Sequence, residues 1–176
     1  MRIISGEFKG RHFSPPKNLK ARPTTDIAKE GLFDILNNRV DYESISVLDM
    51  FGGTGSISLE FASRGCQQIT LIELNSINYS FIRKIIEELK IETIHTFKAD
   101  TFRYINSCKG TFDLIFADPP YAHKELPNIP DLIFEKNLLS EDGLLILEHP
   151  KEFDFSEHPH FMEHRCYGHV NFSFFQ

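Results

Sequence analysis

Asp118-Pro119-Pro120-Tyr121 directly follows the apolar stretch Phe112-Asp113-Leu114-Ile115-Phe116-Ala117 and carries the residue types for one particular chemistry. The exocyclic amino nitrogen of a nucleic-acid base is a poor nucleophile, because its lone pair is delocalised into the ring. Two acceptors set against its two N–H bonds pull the nitrogen toward tetrahedral geometry and release that pair for attack. The Asp118 side chain offers one acceptor and the Pro119 carbonyl the other. Pro120 biases Pro119 toward an extended conformation, which fixes the direction of that carbonyl. Tyr121 adds a ring face on which an extracted base can stack, a contact worth ~1–3 kcal/mol in single-strand binders. A base inside a duplex cannot reach such a pocket, so a flipped or unpaired nucleotide is implied. The structural alternative is that Asp-Pro-Pro merely ends a strand, as prolines often do.

A second cluster lies upstream. Val47-Leu48-Asp49-Met50-Phe51-Gly52-Gly53-Thr54-Gly55 reads as an apolar strand followed by a glycine turn into a helix. Glycines allow the chain to turn sharply and a ligand to approach without a Cβ in the way. In doubly wound sheets, the first strand-to-helix turn forms the nucleotide crevice. Gly53-Thr54-Gly55-Ser56-Ile57-Ser58 keeps only the first two glycines of the dinucleotide fingerprint. Asp49, just before the turn, can accept hydrogen bonds from a cationic amino-acid moiety such as that of S-adenosylmethionine. A nicotinamide or flavin cofactor, or a turn without ligand, remains open on this loop alone. Glu73 closes the next strand, where an acid commonly accepts the ribose hydroxyls of an adenosine cofactor. Asp100, after the third strand, can meet an adenine amino group or cap the helix that begins at Thr101.

Groups at successive strand ends meet in space only if the strands are parallel. The pattern meets that condition. Candidate strands at Ser46–Met50, Ile69–Glu73, Ile94–Lys98, Phe112–Ala117 and Leu144–Glu148 alternate with helical stretches near Ser56–Ser63, Ser76–Leu89, Thr101–Ser107 and Asp131–Asn137. Such alternation implies a largely parallel sheet covered on both faces. In the second helical stretch Ile77, Phe81, Ile85 and Leu89 recur every four residues, a helix-face pattern. Ahead of the alternation, Thr24-Thr25-Asp26 offers N-caps for a helix from Ile27 to Asn37, with Ala28, Leu32, Ile35 and Leu36 on one face. Earlier still, Arg2–Ile4 and His12–Phe13 read as two short strands around Gly6 and Gly10, and residues 14–23 as a proline-punctuated loop. At the other end Phe161–Tyr167 and Val170–Phe175 flank Gly168 as a hairpin, which would add an antiparallel edge to the sheet. The Phe-rich run Phe172-Ser173-Phe174-Phe175 reads as a core-facing edge strand.

Composition bounds what surrounds this frame. The 176 residues suit one globular domain, and no apolar run approaches the ~18 residues of a membrane span. With no long apolar leader at the N-terminus, a cytoplasmic location is the default. The net charge of −6 at first argues against a nucleic-acid partner, but its distribution is uneven. Residues 1–22 carry Arg2, Lys9, Arg11, Lys17, Lys20 and Arg22 against Glu7 alone, while residues 23–176 hold the acidic excess. A basic arm on an acidic body suits a protein that touches phosphate with one patch, although a solvated basic tail has the same composition. Cys66, Cys108 and Cys166 are odd in number and far apart, which argues against a disulfide framework and a structural zinc site. His149, His158, His160 and His164 match no ordered zinc spacing, so no metal is expected. Glu148, ending the fifth strand, can orient substrate or cofactor or be purely structural.

The sequence resembles the RsmD family, bacterial guanine-N2 methyltransferases of small-subunit ribosomal RNA. The likeness covers nearly the whole chain, through Arg2-Ile3-Ile4-Ser5-Gly6, Gly10-Arg11, Arg22-Pro23-Thr24-Thr25-Asp26, Leu48 to Gly55, Leu59-Glu60, Ser63-Arg64-Gly65, Ile72-Glu73 and Asp118-Pro119-Pro120-Tyr121. Ser5 stands where the family usually has glycine, and Gly52 where alanine is common. The resemblance implies a Rossmann-like class I methyltransferase fold: a seven-stranded, mostly parallel sheet with helices on both faces and an antiparallel C-terminal hairpin. A basic hairpin and loop extension at residues 1–25 would precede the S-adenosylmethionine-dependent domain at 26–176. Expected cofactor contacts are Thr25, Asp49, Phe51, Gly52, Gly53, Thr54, Gly55, Glu73, Leu74, Asp100, Thr101 and Asp118. Arg2, Arg11, Arg22, Thr24 and Tyr121 are expected to bind substrate, and Asp118, Pro119, Pro120 and Tyr121 to carry the chemistry. The implied partner is 16S ribosomal RNA within a 30S particle or assembly intermediate, and the chain is expected to be a monomer. Three alternatives stay open: amino methylation of DNA adenine or protein glutamine, a nicotinamide oxidoreductase, and an assembly factor that binds RNA without turnover.

Overall fold

The computed structural model describes residues 1–15 and 25–176. Seven strands form one sheet in the order β3-β2-β1-β4-β5-β7-β6. These are β1 (Ser46–Asp49), β2 (Gln68–Ile72), β3 (Ile94–Phe97), β4 (Phe112–Ala117), β5 (Leu139–His149), β6 (Phe161–Tyr167) and β7 (Val170–Phe175). The first five run parallel, and β7 pairs antiparallel with both β5 and β6. The chain lays β1, β2 and β3 in one direction and then crosses to β4 on the other side of β1, so the switch point falls between β1 and β4. Ligands of open parallel sheets bind just outside the strand ends at such a point.

Alternating residues of the strands feed two cores, one on each face. Val47, Leu71, Leu114, Phe116, Ile146 and Phe174 pack with the apolar sides of α1 (Asp26–Leu36), α2 (Ser56–Ser63) and α3 (Ser76–Leu89). Leu48, Ile72, Ile115, Leu145 and Phe175 face α4 (Thr101–Ser107) and α5 (Ile129–Glu135), which contribute Ile105, Ile129 and Ile133. Side-chain caps start three of the helices. The Thr25 hydroxyl accepts from the Ala28 N–H, the Asn75 carboxamide from Ile77 and Asn78, and the Asp100 carboxylate from Arg103. Gly55 precedes α2 at φ 79°, a left-handed conformation that glycine adopts without steric cost.

The helix α3 buries Asn78, Ile82, Ile85, Ile86 and Leu89, whereas Ile77 is exposed and Phe81 only half-buried. A strict four-residue recurrence drifts about 40° per step around a 3.6-residue helix, so its first members leave the core face. The predicted strands Arg2–Ile4 and His12–Phe13 reduce to a single bridge between Arg2 and His12. Strand β5 begins at Leu139 rather than Leu144, its polar start joined through a register shift opposite Phe112 and Leu114. The Phe-rich strand β7 is an interior strand, not an edge, because β6 covers its outer side. The described part of the N-terminal arm docks on α2. Glu60 accepts from the backbone N–H groups of Ile4 and Ser5, and the Ser63 carbonyl accepts from Glu7.

Candidate active site

A cavity of about 1150 Å³ opens at the switch point. Its lining includes Thr25, Asp49, Phe51, Gly52, Gly53, Thr54, Glu73, Leu74, Asp100, Thr101, Asp118, Pro119, Pro120 and Tyr121. Of the expected site residues, Gly55 lies just behind this wall, where its left-handed conformation turns the chain into α2. Arg2 and Arg11 stand apart from the cavity. Arg2 pairs with Asp26 at 3.4 Å, and Arg11 is exposed. Arg22 and Thr24 lie outside the described residues.

Asp49 is 1% exposed, and its Oδ2 accepts from the Ser58 hydroxyl at 2.6 Å. Its Oδ1 is buried with no hydrogen-bond partner among the described residues. Burial pushes the Asp49 pKa up to about 6 against the opposing Ser58 hydrogen bond. A buried, unsatisfied carboxylate oxygen is costly unless a ligand donor reaches it, and an ammonium group is such a donor. Glu73 is anchored at both oxygens, accepting from the N–H of Gly53 at 2.7 Å and of Asn75 at 2.6 Å. The carboxylate thereby ties the glycine turn to the end of β2, with lone pairs left over for hydroxyl donors. Gly53 sits at φ 55°, and a Cβ on Gly52 would come within 2.6 Å of Leu71, so this turn is built for small residues. The Asp100 carboxylate caps α4 while also lining the cavity, and the Thr101 hydroxyl is a second buried oxygen without a partner among the described residues. Asp49, Glu73 and the glycine turn therefore fit an adenosine cofactor that carries a cationic amino-acid end.

Across the cavity, β4 and β5 end side by side. Ala117 is in register with Leu147, so the next residues, Asp118 and Glu148, are neighbours on adjacent strands. Both line the cavity. Asp118 is held well above the ordinary carboxylate range, first by burial and then by the charges of Glu148 and Asp49. The Tyr121 ring is 43% exposed at the cavity mouth, and its hydroxyl donates to Glu148 Oε1 at 3.2 Å. No hydrogen bond among the described residues uses the Pro119 carbonyl, whereas the Pro120 carbonyl accepts from His123 at 2.7 Å.

Sequence reasoning missed two parts of this wall and a buried lysine behind it. His123 stacks on Phe102 with centroids 5.0 Å apart, and both line the cavity. The turn between β6 and β7, residues 167–170, reaches the same cavity from the C-terminal hairpin. Lys29 is fully buried beside the site, donating to the Ser56 hydroxyl at 3.0 Å and pairing with Glu60 at 3.6 Å. Among the described residues, no group of three or more histidines, cysteines and acids is placed to hold a metal ion. His149 instead bonds Ser173 at 2.8 Å, and Cys66, Cys108 and Cys166 are free thiols. No described helix is long and apolar enough to cross a membrane.

A mostly parallel seven-stranded sheet with an antiparallel C-terminal pair, and a cavity at its switch point bordered by an Asp-Pro-Pro corner, define an S-adenosylmethionine-dependent methyltransferase of the Rossmann-like class. The chain belongs to the family described as Conserved hypothetical protein 95, whose model matches residues 1–176; this is the RsmD family of the sequence resemblance. It is 32% identical to "Ribosomal RNA small subunit methyltransferase D" of Escherichia coli (strain K12), covering 84% of this chain and 74% of that one. Its identity to the protein of the same name from Buchnera aphidicola subsp. Baizongia pistaciae is 30%, over 84% and 75% of the two chains. A solved structure from Thermus thermophilus, described as a hypothetical protein, is 25% identical with a TM-score of 0.88, covering 100% of this chain and 99% of that one.

Proposed function

We propose that this methyltransferase modifies small-subunit ribosomal RNA, placing the methyl group on the exocyclic N2 amino nitrogen of a guanine. The observation that carries this reading is the shared cavity of Asp49, Glu73 and the Asp118-Pro119 corner. When bound, S-adenosylmethionine supplies an electrophilic methyl group. Asp49 would hold its ammonium end at the oxygen left without a partner among the described residues, and Glu73 would hold the ribose hydroxyls. The Tyr121 ring stacks on the extracted base. The Asp118 carboxylate and the Pro119 carbonyl accept the two N–H groups of the amine, which frees its lone pair. As positive charge develops on nitrogen, both hydrogen bonds strengthen, so they stabilise the transition state more than the ground state. No covalent bond to the protein is needed; positioning and these acceptors suffice.

The names of the relatives support a ribosomal RNA substrate. The described arm, with exposed Lys9 and Arg11, supports contact with RNA backbone away from the base pocket. A folded 30S particle or assembly intermediate, bound by a monomer in the cytoplasm, suits a mostly acidic body that engages phosphate through one patch. The test is transfer of labelled methyl groups to small-subunit particles, free 16S RNA, DNA and protein, followed by mapping of the product. Label in N2-methylguanine of the 16S RNA is expected; label confined to DNA or protein would overturn the reading. Asp118→Ala should lower turnover by about 100-fold or more while S-adenosylhomocysteine still binds, as judged by calorimetry.

A further inference from the structure

Asp118 and Glu148 occupy equivalent places on adjacent parallel strands, one residue beyond the Ala117–Leu147 register pair, and both face the same cavity. Two acceptor side chains thus stand side by side at one wall of the cavity, which matches a ligand edge that carries adjacent N–H donors. Glu148 is only 4% exposed, and it is joined to the base-stacking ring through the Tyr121 hydroxyl. Its carboxylate is therefore held next to the Tyr121 hydroxyl, at the wall of the cavity that the ring borders.

We propose that Glu148 reads the N1–H of the target base and thereby selects guanine. The chemistry follows from the donor pattern of the bases. The edge of guanine around N2 presents three donors in a row, the two N2–H bonds and N1–H. Adenine, aligned by its own amino group, presents an unprotonated N1 at the third place. Asp118 and the Pro119 carbonyl take the two amino hydrogens, and Glu148 takes the third. An acceptor facing an unprotonated ring nitrogen would leave two buried acceptors opposed, which a site cannot hide from water cheaply. Sites built around one hydrogen-bond donor reject analogues that lack it far more strongly than apolar pockets reject size changes. This inference rests on guanine N2 being the methyl acceptor, which product mapping decides independently.

The experiment compares small subunits reconstituted with either guanine or 2-aminopurine at the mapped nucleotide. 2-Aminopurine keeps the amino group and loses the N1 proton. Wild-type protein should favour guanine by about tenfold or more in kcat/KM. Glu148→Gln offers an amide N–H to the unprotonated ring nitrogen and still accepts from Tyr121, so the preference should shrink to within about threefold. Tyr121→Phe, which keeps the ring and removes the hydroxyl, should retain the wild-type preference. An equal loss on both bases in Glu148→Gln, or no loss on either, overturns the proposal. So does a Tyr121→Phe variant that narrows the preference as far as Glu148→Gln, since the carboxylate would then act only through the ring. Failure to find N2-methylguanine in the wild-type product would instead remove the reading on which the proposal stands.

Discussion

Asp118 can accept a hydrogen bond from an amine at full strength only when ionised, yet burial and the nearby charges of Glu148 and Asp49 oppose its ionisation. Turnover should therefore rise with pH through a pKa above the ordinary aspartate range. Glu148→Gln removes one opposing charge, so the acid limb of kcat/KM should move to lower pH; an unmoved limb would show that the two groups do not interact. Asp49, pushed up to about 6, must also lose its proton to hold an ammonium. Affinity for S-adenosylhomocysteine should fall as pH drops below about 6, and Asp49→Asn should weaken binding by about tenfold or more and flatten that dependence, measured by calorimetry across pH 5 to 8. The stability of the ligand-free protein should run the other way. A carboxyl whose pKa is raised by folding stabilises the protein below its unfolded pKa, near 4, and that contribution fades as pH rises through about 6. A shift of this size is on the order of 3 kcal/mol, so Asp49→Asn should raise the melting temperature at pH 7 while costing affinity. Asp49, Glu73 and Asp118 are legible in the sequence because each closes an apolar run, and parallel strands bring such ends together. Glu148 meets the same criterion, but its strand register with Asp118 cannot be read from spacing, so its role stays open there. Asp100 admits two readings, and the structure supports a cap at the cavity edge, so one reading does not exclude the other.

The secondary elements are easier to foresee than the links between them. Apolar periodicity locates all five main parallel strands and the helices between them, since burial on one face or both leaves a pattern in one dimension. The anchoring of the arm leaves none. Glu60 lies on the wholly buried helix α2, where it holds two backbone N–H groups of the arm, Arg64 Nε at 3.0 Å and the buried Lys29 ammonium. Burial lowers the Lys29 pKa, with Glu60 opposing that shift most strongly. Lysine and glutamate on helices ordinarily indicate a solvated face, so sequence cannot tell this pair apart from surface charge. Glu60→Ala leaves Lys29 buried without this carboxylate and frees the arm; it should destabilise the protein by roughly 3–5 kcal/mol in denaturant unfolding. Gly6→Ala tests the same contact from the arm side. Gly6 sits at φ 80°, and a Cβ there would lie 1.7 Å from the Ser63 carbonyl oxygen. The arm must lift from α2 to accommodate it, at a cost above about 1 kcal/mol. A midpoint unchanged by either substitution would mean that the arm is not held by α2.

At the scale of the molecule, charge is segregated: residues 1–22 carry a net +5 and residues 23–176 a net −11, for −6 in all. RNA affinity should therefore fall with added salt. Replacing exposed Lys9 and Arg11 with alanine should weaken binding and reduce the slope of log affinity against log salt by about 1.5, with little change in cofactor affinity. An unchanged slope would show that these two side chains lie off the RNA path. Composition alone cannot separate this arrangement from a solvated basic tail; the first residues of the arm dock on α2 while Lys9 and Arg11 stay exposed, so the salt dependence of RNA binding is what distinguishes the two. The sheet order holds one more consequence. Strand β7 slots between β5 and β6, and the turn leading into it closes one wall of the cavity proposed to hold the cofactor. Residues 167–170 emerge from synthesis long after Thr25 and Asp49, which line the same space. A growing polypeptide thus cannot complete this wall until its C-terminal hairpin has formed and inserted. Until then methyl donor has only a partial enclosure, so the ability to capture it reports that the last strands have docked.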